Sequence, residues 1–193
     1  MYSIKSNIEN TLIIKKSKFI TKLYYVNDIN EIKNILDNIN KEYNDSTHIC
    51  YAYILDNIEK CNDDNEPNNT AGMPMLNVLK KKNLNHILAI VIRYFGGIKL
   101  GVGGLTRAYS NSIIEALNLI QIVELKNYYL IEMEFIYDQL KLVDYILTDK
   151  NIIEKAFNET IIYKFYLDED ELSFISNLEK ISLHISIKNK VLM

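Results

Sequence analysis

Three stretches of this chain carry side chains whose types and spacing could do chemistry. The first is His48-x-Cys50. On a strand, residues two apart share a face but sit about 6.5–7 Å apart at Cα, so direct contact between them is awkward. A Cys–His nucleophile pair needs hydrogen-bond contact, and a metal needs more ligands than this neighbourhood offers. Packing is therefore the expected role; no catalytic residue, metal or cofactor is assigned.

The second stretch is Asn62–Pro74, NDDNEPNNTAGMP. Asp63, Asp64 and Glu66 could collect around a hard cation, which prefers carboxylate oxygens. They could instead pair with Arg93 or Arg107 across the fold. Pairing is preferred, because an arginine–carboxylate fork needs no external ligand. Thr70 and Gly72 read as loop-shaping residues near a ligand.

The third is AIVIRYFGGIKLGVGGLTRAY, a strand feeding a glycine turn and then a helix. Such a turn presents unpaired N–H groups and the positive end of the helix dipole. Arg93, Lys99 and Arg107 add charge around Gly96, Gly97, Gly101, Gly103 and Gly104. The chemistry suits capture of a phosphate or carboxylate. The alternative is that these glycines only permit close helix–sheet packing. Neither the P-loop spacing nor G-x-G-x-x-G is present. Lys80–Lys82 is a basic run on a predicted helix, read as a solvated face or a phosphate contact.

Composition points to the same region. Ile, Lys and Asn supply 74 of 193 residues, a bias expected of an AT-rich genome, which depletes Gly, Pro and Arg. All six glycines, both prolines and both arginines fall within residues 67–107. Glycine is needed for positive φ or close backbone approach, and arginine for a planar bidentate donor. Overall net charge is −3. Residues 1–125 carry 14 Lys and Arg against 13 Asp and Glu, and residues 126–193 carry 8 against 12. A nonspecific nucleic-acid binder is normally basic, so any such contact must be a local patch outside the acidic C-terminal third. Two cysteines make no disulfide framework, the N-terminus lacks a signal peptide's apolar core, and no apolar run approaches membrane-spanning length. A cytoplasmic location without membrane contact is expected.

The elements that must position these residues follow from periodicity. Residues 10–26 read as two strands, the second Lys18–Val26. Helices are expected over 29–43, 74–82 and 105–119, and strands over 48–55 and 86–93. The apolar run in 86–93 marks a central buried strand. Cys61–Thr70 reads as an ordered loop, and 121–125 as a strand or connector. Beyond it, strands 128–135, 152–157, 160–167 and 183–187 alternate with helices 138–148 and 169–178. That is β-α-β-β-α-β, the ferredoxin-like order. The fold class is α/β (α+β) in two domains, 1–126 and 127–193.

The three motifs together, His48-x-Cys50-Tyr51-Ala52-Tyr53, Asp63-Asp64-x-Glu66-Pro67-x-x-Thr70-Ala71-Gly72-x-Pro74 and Arg93-Tyr94-Phe95-Gly96-Gly97-x-x-Leu100-Gly101-x-Gly103-Gly104-Leu105-x-Arg107-Ala108-Tyr109, resemble the IMPACT family. That resemblance implies an N-terminal α/β sandwich of the type shared by a small-subunit ribosomal-protein domain and the GHMP kinases. It also implies a C-terminal domain like one of elongation factor G. The resemblance also implies eukaryotic relatives that act on translational control through a kinase pathway, using an extra N-terminal domain; that domain is not expected here, so their specific role is not carried over. Asn65 stands where the family commonly has Gly, and Asn68-Asn69 where small residues are common; Asn tolerates left-handed backbone.

The resulting expectation is a translation-associated regulatory protein that binds RNA, the ribosome or a translation factor through the 93–107 surface. One alternative is a binder or enzyme for a phosphorylated small molecule, with Asp64 or Glu66 as the nearby acid/base groups and a pocket between 63–74 and 96–107. Another is a protein–protein adaptor using the acidic C-terminal domain. Binding is preferred over catalysis, and the sequence leaves the oligomeric state open.

Overall fold

The computed structural model describes residues 1–192. The chain divides into two compact units, Met1–Glu124 and Leu125–Met193, each treated by itself.

In the N-terminal unit, strands β2 (Ile8–Ile14), β3 (Ser17–Tyr25), β4 (His48–Leu55), β5 (Ile58–Asn62) and β6 (Ile87–Tyr94) form one sheet in the order β2-β3-β6-β4-β5. Every neighbouring pair is antiparallel. Strand β6 is central, and its apolar run is explained by both of its faces. Ile87, Ala89 and Val91 face the layer of helices α2 (Gly72–Lys81) and α3 (Val102–Asn118), where they meet Met75, Leu79, Tyr109 and Ile113. Leu88, Ile90 and Ile92 face helix α1 (Ile29–Glu42) and pack on Ile32 and Ile39. Period-two alternation on a strand covered on both sides leaves no polar position to find. Arg93 breaks the run on the α2/α3 face, and it is buried there at 5% exposure.

Local chemistry sets the helix ends. Asp28 caps α1, its carboxylate accepting from Asn30 N at 2.7 Å and Glu31 N at 2.9 Å. Helix α2 begins at Gly72 rather than at Pro74, and α3 at Val102 rather than at Leu105. Gly101 turns into α3 with φ +71°, a left-handed conformation that favours glycine.

Two elements differ from the sequence reading. Strand β5 occupies part of the stretch read as loop. Its residues are mostly exposed and carry no alternation; the ladder to β4, Ala52 opposite Cys61, makes the strand. Strand β1 (Tyr2–Ile4) has no counterpart in the sequence pattern. It pairs with β7 (Ile122–Glu124), which is thus a strand rather than a connector.

The C-terminal unit runs β8 (Asn127–Phe135), α4 (Leu140–Ile146), β9 (Asn151–Phe157), β10 (Ile161–Asp168), α5 (Ile175–Leu178) and β11 (His184–Leu192). The sheet order is β11-β8-β10-β9, antiparallel throughout. Ile131, Met133, Phe135, Tyr163, Phe165 and Leu167 form its core with Val143, Leu147 and Leu178. Both helices are shorter than the sequence pattern predicts, because each opens as a 3-10 turn, Tyr137–Gln139 and Glu169–Phe174.

Candidate functional site

The three sequence motifs meet at one edge of the α2/α3 layer. Strand β6 delivers Arg93, the loop after β5 delivers Glu66, and α3 delivers Tyr109. Arg93 Nη1 donates to Glu66 Oε1 at 2.6 Å, and Tyr109 Oη donates to the same oxygen at 2.7 Å. The side chains of Arg93 and Glu66 are 6% and 3% exposed, so this is a buried ion pair. The guanidinium also lies between two rings, 5.4 Å from the Phe19 centroid and 5.6 Å from that of Phe95. Its second amino group reaches Ser17 Oγ at 3.4 Å, while Nε is buried without a partner.

His48 stands beside this pair. Its Nδ1 faces the Asp64 carbonyl at 2.7 Å. A carbonyl only accepts, so Nδ1 carries the proton, and Nε2 is left facing Glu66 Oε2 at 3.8 Å. Cys50 takes no part with His48. Its Sγ donates to the Asp63 carbonyl at 3.1 Å and lies 3.4 Å from Tyr109 Oη. Burial pushes the Cys50 thiol well above its ordinary value, and burial pushes the Tyr109 phenol up as well. Neither is poised as a nucleophile at neutral pH.

The other two loop carboxylates do a different job. Asp63 Oδ1 accepts from Ala71 N at 3.0 Å and Gly72 N at 2.8 Å, and Oδ2 accepts from Asn69 N at 2.8 Å. It caps α2 from nine residues upstream, where Ala71 offers no side-chain cap. Asp64 Oδ2 accepts from Ile49 N at 2.6 Å, tying the loop to β4. With these oxygens already engaged, neither Asp63 nor Asp64 pairs with an arginine. Thr70 closes the loop on the Pro67 carbonyl at 2.6 Å. Gly72 and Gly96 are places where no side chain fits. A Cβ on Gly72 would sit 2.8 Å from Asn62 N, and one on Gly96 would sit 2.0 Å from the Lys16 carbonyl carbon. Gly97 faces open space and is required by its φ of +81°.

Above the buried network lies a cleft of about 470 Å³ between the acidic loop and the glycine turn. Glu66 and Pro67 form one wall, Phe95 and Lys99–Val102 the other, and His48 and Arg93 line it below. Lys99 and Gly101–Gly103 are exposed, and the N-terminus of α3, where Gly101 offers no side-chain cap, borders the cleft. Phe95 is 45% exposed at the rim, held by its N–H bond to Thr47 Oγ1 at 3.0 Å.

The two arginines do not converge. Arg107 lines a separate notch with Lys15, on the far side of Leu100 from the cleft, and has no carboxylate partner among the described residues. Lys80 pairs with Glu59 at 2.8 Å, while Lys81 and Lys82 border a groove between α2 and α3. The sequence assigned no site role to Ser17 or Thr47, and Phe95 and Tyr109 entered only as parts of the family motif. Their roles arise from contacts 43 to 79 residues apart along the chain, as in Tyr109 to Glu66, Phe95 to Thr47 and Gly96 to Ser17.

These features define a two-unit α/β protein with a cation- and glycine-lined cleft over a buried Glu–Arg–Tyr network. Residues 15–117 match the Impact N-terminal domain family. The chain is 39% identical over 180 residues to IMPACT family member YvyE of Bacillus subtilis (strain 168), covering 91% of this chain and 83% of that protein. It is also 39% identical over 135 residues to an IMPACT family member of Haemophilus influenzae, covering 67% of this chain and 66% of that one. A crystal structure described only as that of an hypothetical protein superposes over 97% of both chains, with a TM-score of 0.64 and 27% identity. The chain belongs to the IMPACT family. No helix among the described residues is long and apolar enough to cross a membrane.

Proposed function

We propose that this protein is a translation-associated regulator that binds single-stranded RNA, free or on the ribosome, through the cleft over Glu66 and Arg93. The observation that carries this reading is the combination at the rim. An exposed ring, Phe95, lines the cleft with Lys99, a cation that has no carboxylate partner among the described residues, and with the uncapped N-terminus of α3. A base can stack on the ring, which contributes about 1–3 kcal/mol per base in such sites. A backbone phosphate then reaches the N–H groups and Lys99. Arg93 acts by position rather than by contact, since Glu66 already matches its charge. The IMPACT membership supports the link to translation. The modest net charge of −3 confines binding to this patch and implies a shallow salt dependence.

The test is fluorescence anisotropy with a labelled single-stranded RNA across a salt series, together with ribosome co-sedimentation. Phe95→Ala and Lys99→Ala should each weaken binding, about tenfold for the loss of one stacked base. If both variants bind RNA and ribosomes as the parent does, the reading is wrong. A second reading draws on the concavity itself: a cleft of about 470 Å³ walled by Pro67, Leu100 and Leu105 has room for a phosphorylated small molecule. Metabolites retained through purification, identified by mass spectrometry, distinguish the two.

A further inference from the structure

Among the described residues, eight other than glycine have positive φ. Asp56, Asp64, Asn65, Asn69, Asn83 and His86 are of the three types that tolerate the left-handed region best. The two exceptions are Lys15 (φ +46°) and Lys16 (φ +67°), adjacent in the β2–β3 hairpin, where Ile14 pairs directly with Ser17. A two-residue hairpin with both φ values positive is a type I′ turn, for which Asn-Gly is the favoured pair. Asn is abundant in this chain, at 23 residues, so codon bias does not explain its absence here. A lysine in this conformation crowds its Cβ against the following carbonyl. Locally unfavourable backbone that persists tends to sit at functional sites.

The surroundings say what the lysines are for. The Lys16 carbonyl carbon stands 2.0 Å from where a Gly96 Cβ would be, so the turn is wedged against the glycine loop. Lys15 lines a notch of about 260 Å³ with Leu100, Gly104, Arg107 and Asn111. The Arg107 side chain folds back over the first turn of α3, its Nη1 3.9 Å from where a Gly103 Cβ would be. Lys15, Lys16 and Arg107 are exposed, and none forms an ion pair among the described residues. Leu100 lines both the notch and the cleft.

We propose that the Lys15–Arg107 notch is a second phosphate-binding subsite, which grips the RNA backbone next to the nucleotide held in the cleft. The strained lysine turn is kept because it places charge there. This rests on the RNA-binding reading above and adds a site to it.

The decisive variant is Lys15→Asn with Lys16→Gly, which relieves the turn and removes the charge together. It should melt at or above the parent temperature, so weaker binding cannot be ascribed to unfolding. Binding of a 12-nucleotide single-stranded RNA should weaken about tenfold. The slope of log affinity against log salt should fall by about 0.7 for each phosphate that is no longer neutralised. Arg107→Gln should behave alike in binding, and Lys33→Gln, on α1 across the sheet, should bind as the parent. If the turn variant and Arg107→Gln both bind like the parent, the subsite is refuted while the cleft reading stands. If they weaken but Phe95→Ala and Lys99→Ala do not, the cleft reading fails and the subsite survives. Equal weakening by Lys33→Gln shows general charge attraction and overturns the subsite. A turn variant that melts below the parent overturns the strain argument, and a parent that binds no RNA overturns both proposals.

Discussion

Replacing Glu66 with alanine removes the acceptor shared by Arg93 and Tyr109. The hydrogen-bond partner left to the guanidinium among the described residues is Ser17 Oγ at 3.4 Å, in a site where the Arg93 side chain is 6% exposed. Breaking a buried pair by deleting one partner costs about 3–5 kcal/mol, because the other charge stays buried and uncompensated. The Tyr109 hydroxyl loses its 2.7 Å bond as well, worth about 1 kcal/mol. The two losses share one oxygen and do not simply add, so a destabilisation of about 4 kcal/mol is expected. Against a typical total of about 5–15 kcal/mol, that is a large fraction. With a urea dependence of about 2 kcal/mol per molar, the midpoint should fall by about 2 M. The assay is urea unfolding of the full chain by circular dichroism, with hydrogen exchange of the β6 amides assigning the change to the N-terminal unit. Glu66→Leu combined with Arg93→Met should lie closer to the parent than either single change, since an apolar pair leaves no orphaned charge. A loss below about 1 kcal/mol for Glu66→Ala would refute the reasoning, because it would mean that water solvates the guanidinium.

Other outcomes follow from the same geometry. Gly96→Ala should cost about 3 kcal/mol or more by thermal unfolding, since its Cβ would lie 2.0 Å from the Lys16 carbonyl carbon and backbone must move. Asp63→Ala orphans the N–H groups of Asn69, Ala71 and Gly72 and should destabilise the unit by about 2–3 kcal/mol, with α2 amides exchanging faster than those of α1. The Cys50 thiol is raised from an ordinary value of 9.0 by burial, so the unfolded chain loses that proton first. Its contribution to stability is fully present below pH 9 and is lost as pH rises beyond it, by about 1.4 kcal/mol per pH unit, which a urea series between about pH 8 and 10.5 measures. Under native conditions a thiol reagent should label half-buried Cys61 and reach Cys50 only on unfolding.

By itself the sequence located most of the helices and strands and marked the segments that wall the cleft. Apolar periodicity located α1, α3 and the central strand β6, because a face that must be buried leaves its period in the residues. Clustering of glycine and arginine in a chain that otherwise avoids them located the loop and turn that form the cleft walls. Only the tertiary structure decided what each polar residue does. Asp63, Asp64 and Glu66 read as three similar carboxylates. One became a helix cap, one a strand tether and one half of a buried ion pair, according to which donors the fold brought near. The two arginines likewise read as equivalent, yet Arg93 is matched by Glu66 while Arg107 points into a different notch beside Lys15. Strand β5 and the β1–β7 pair were illegible because exposed strands carry no alternation, and their hydrogen-bond partners lie on other segments. Local pattern records burial, which each residue feels alone; pairing is a property of two residues, and the chain between them does not encode it locally.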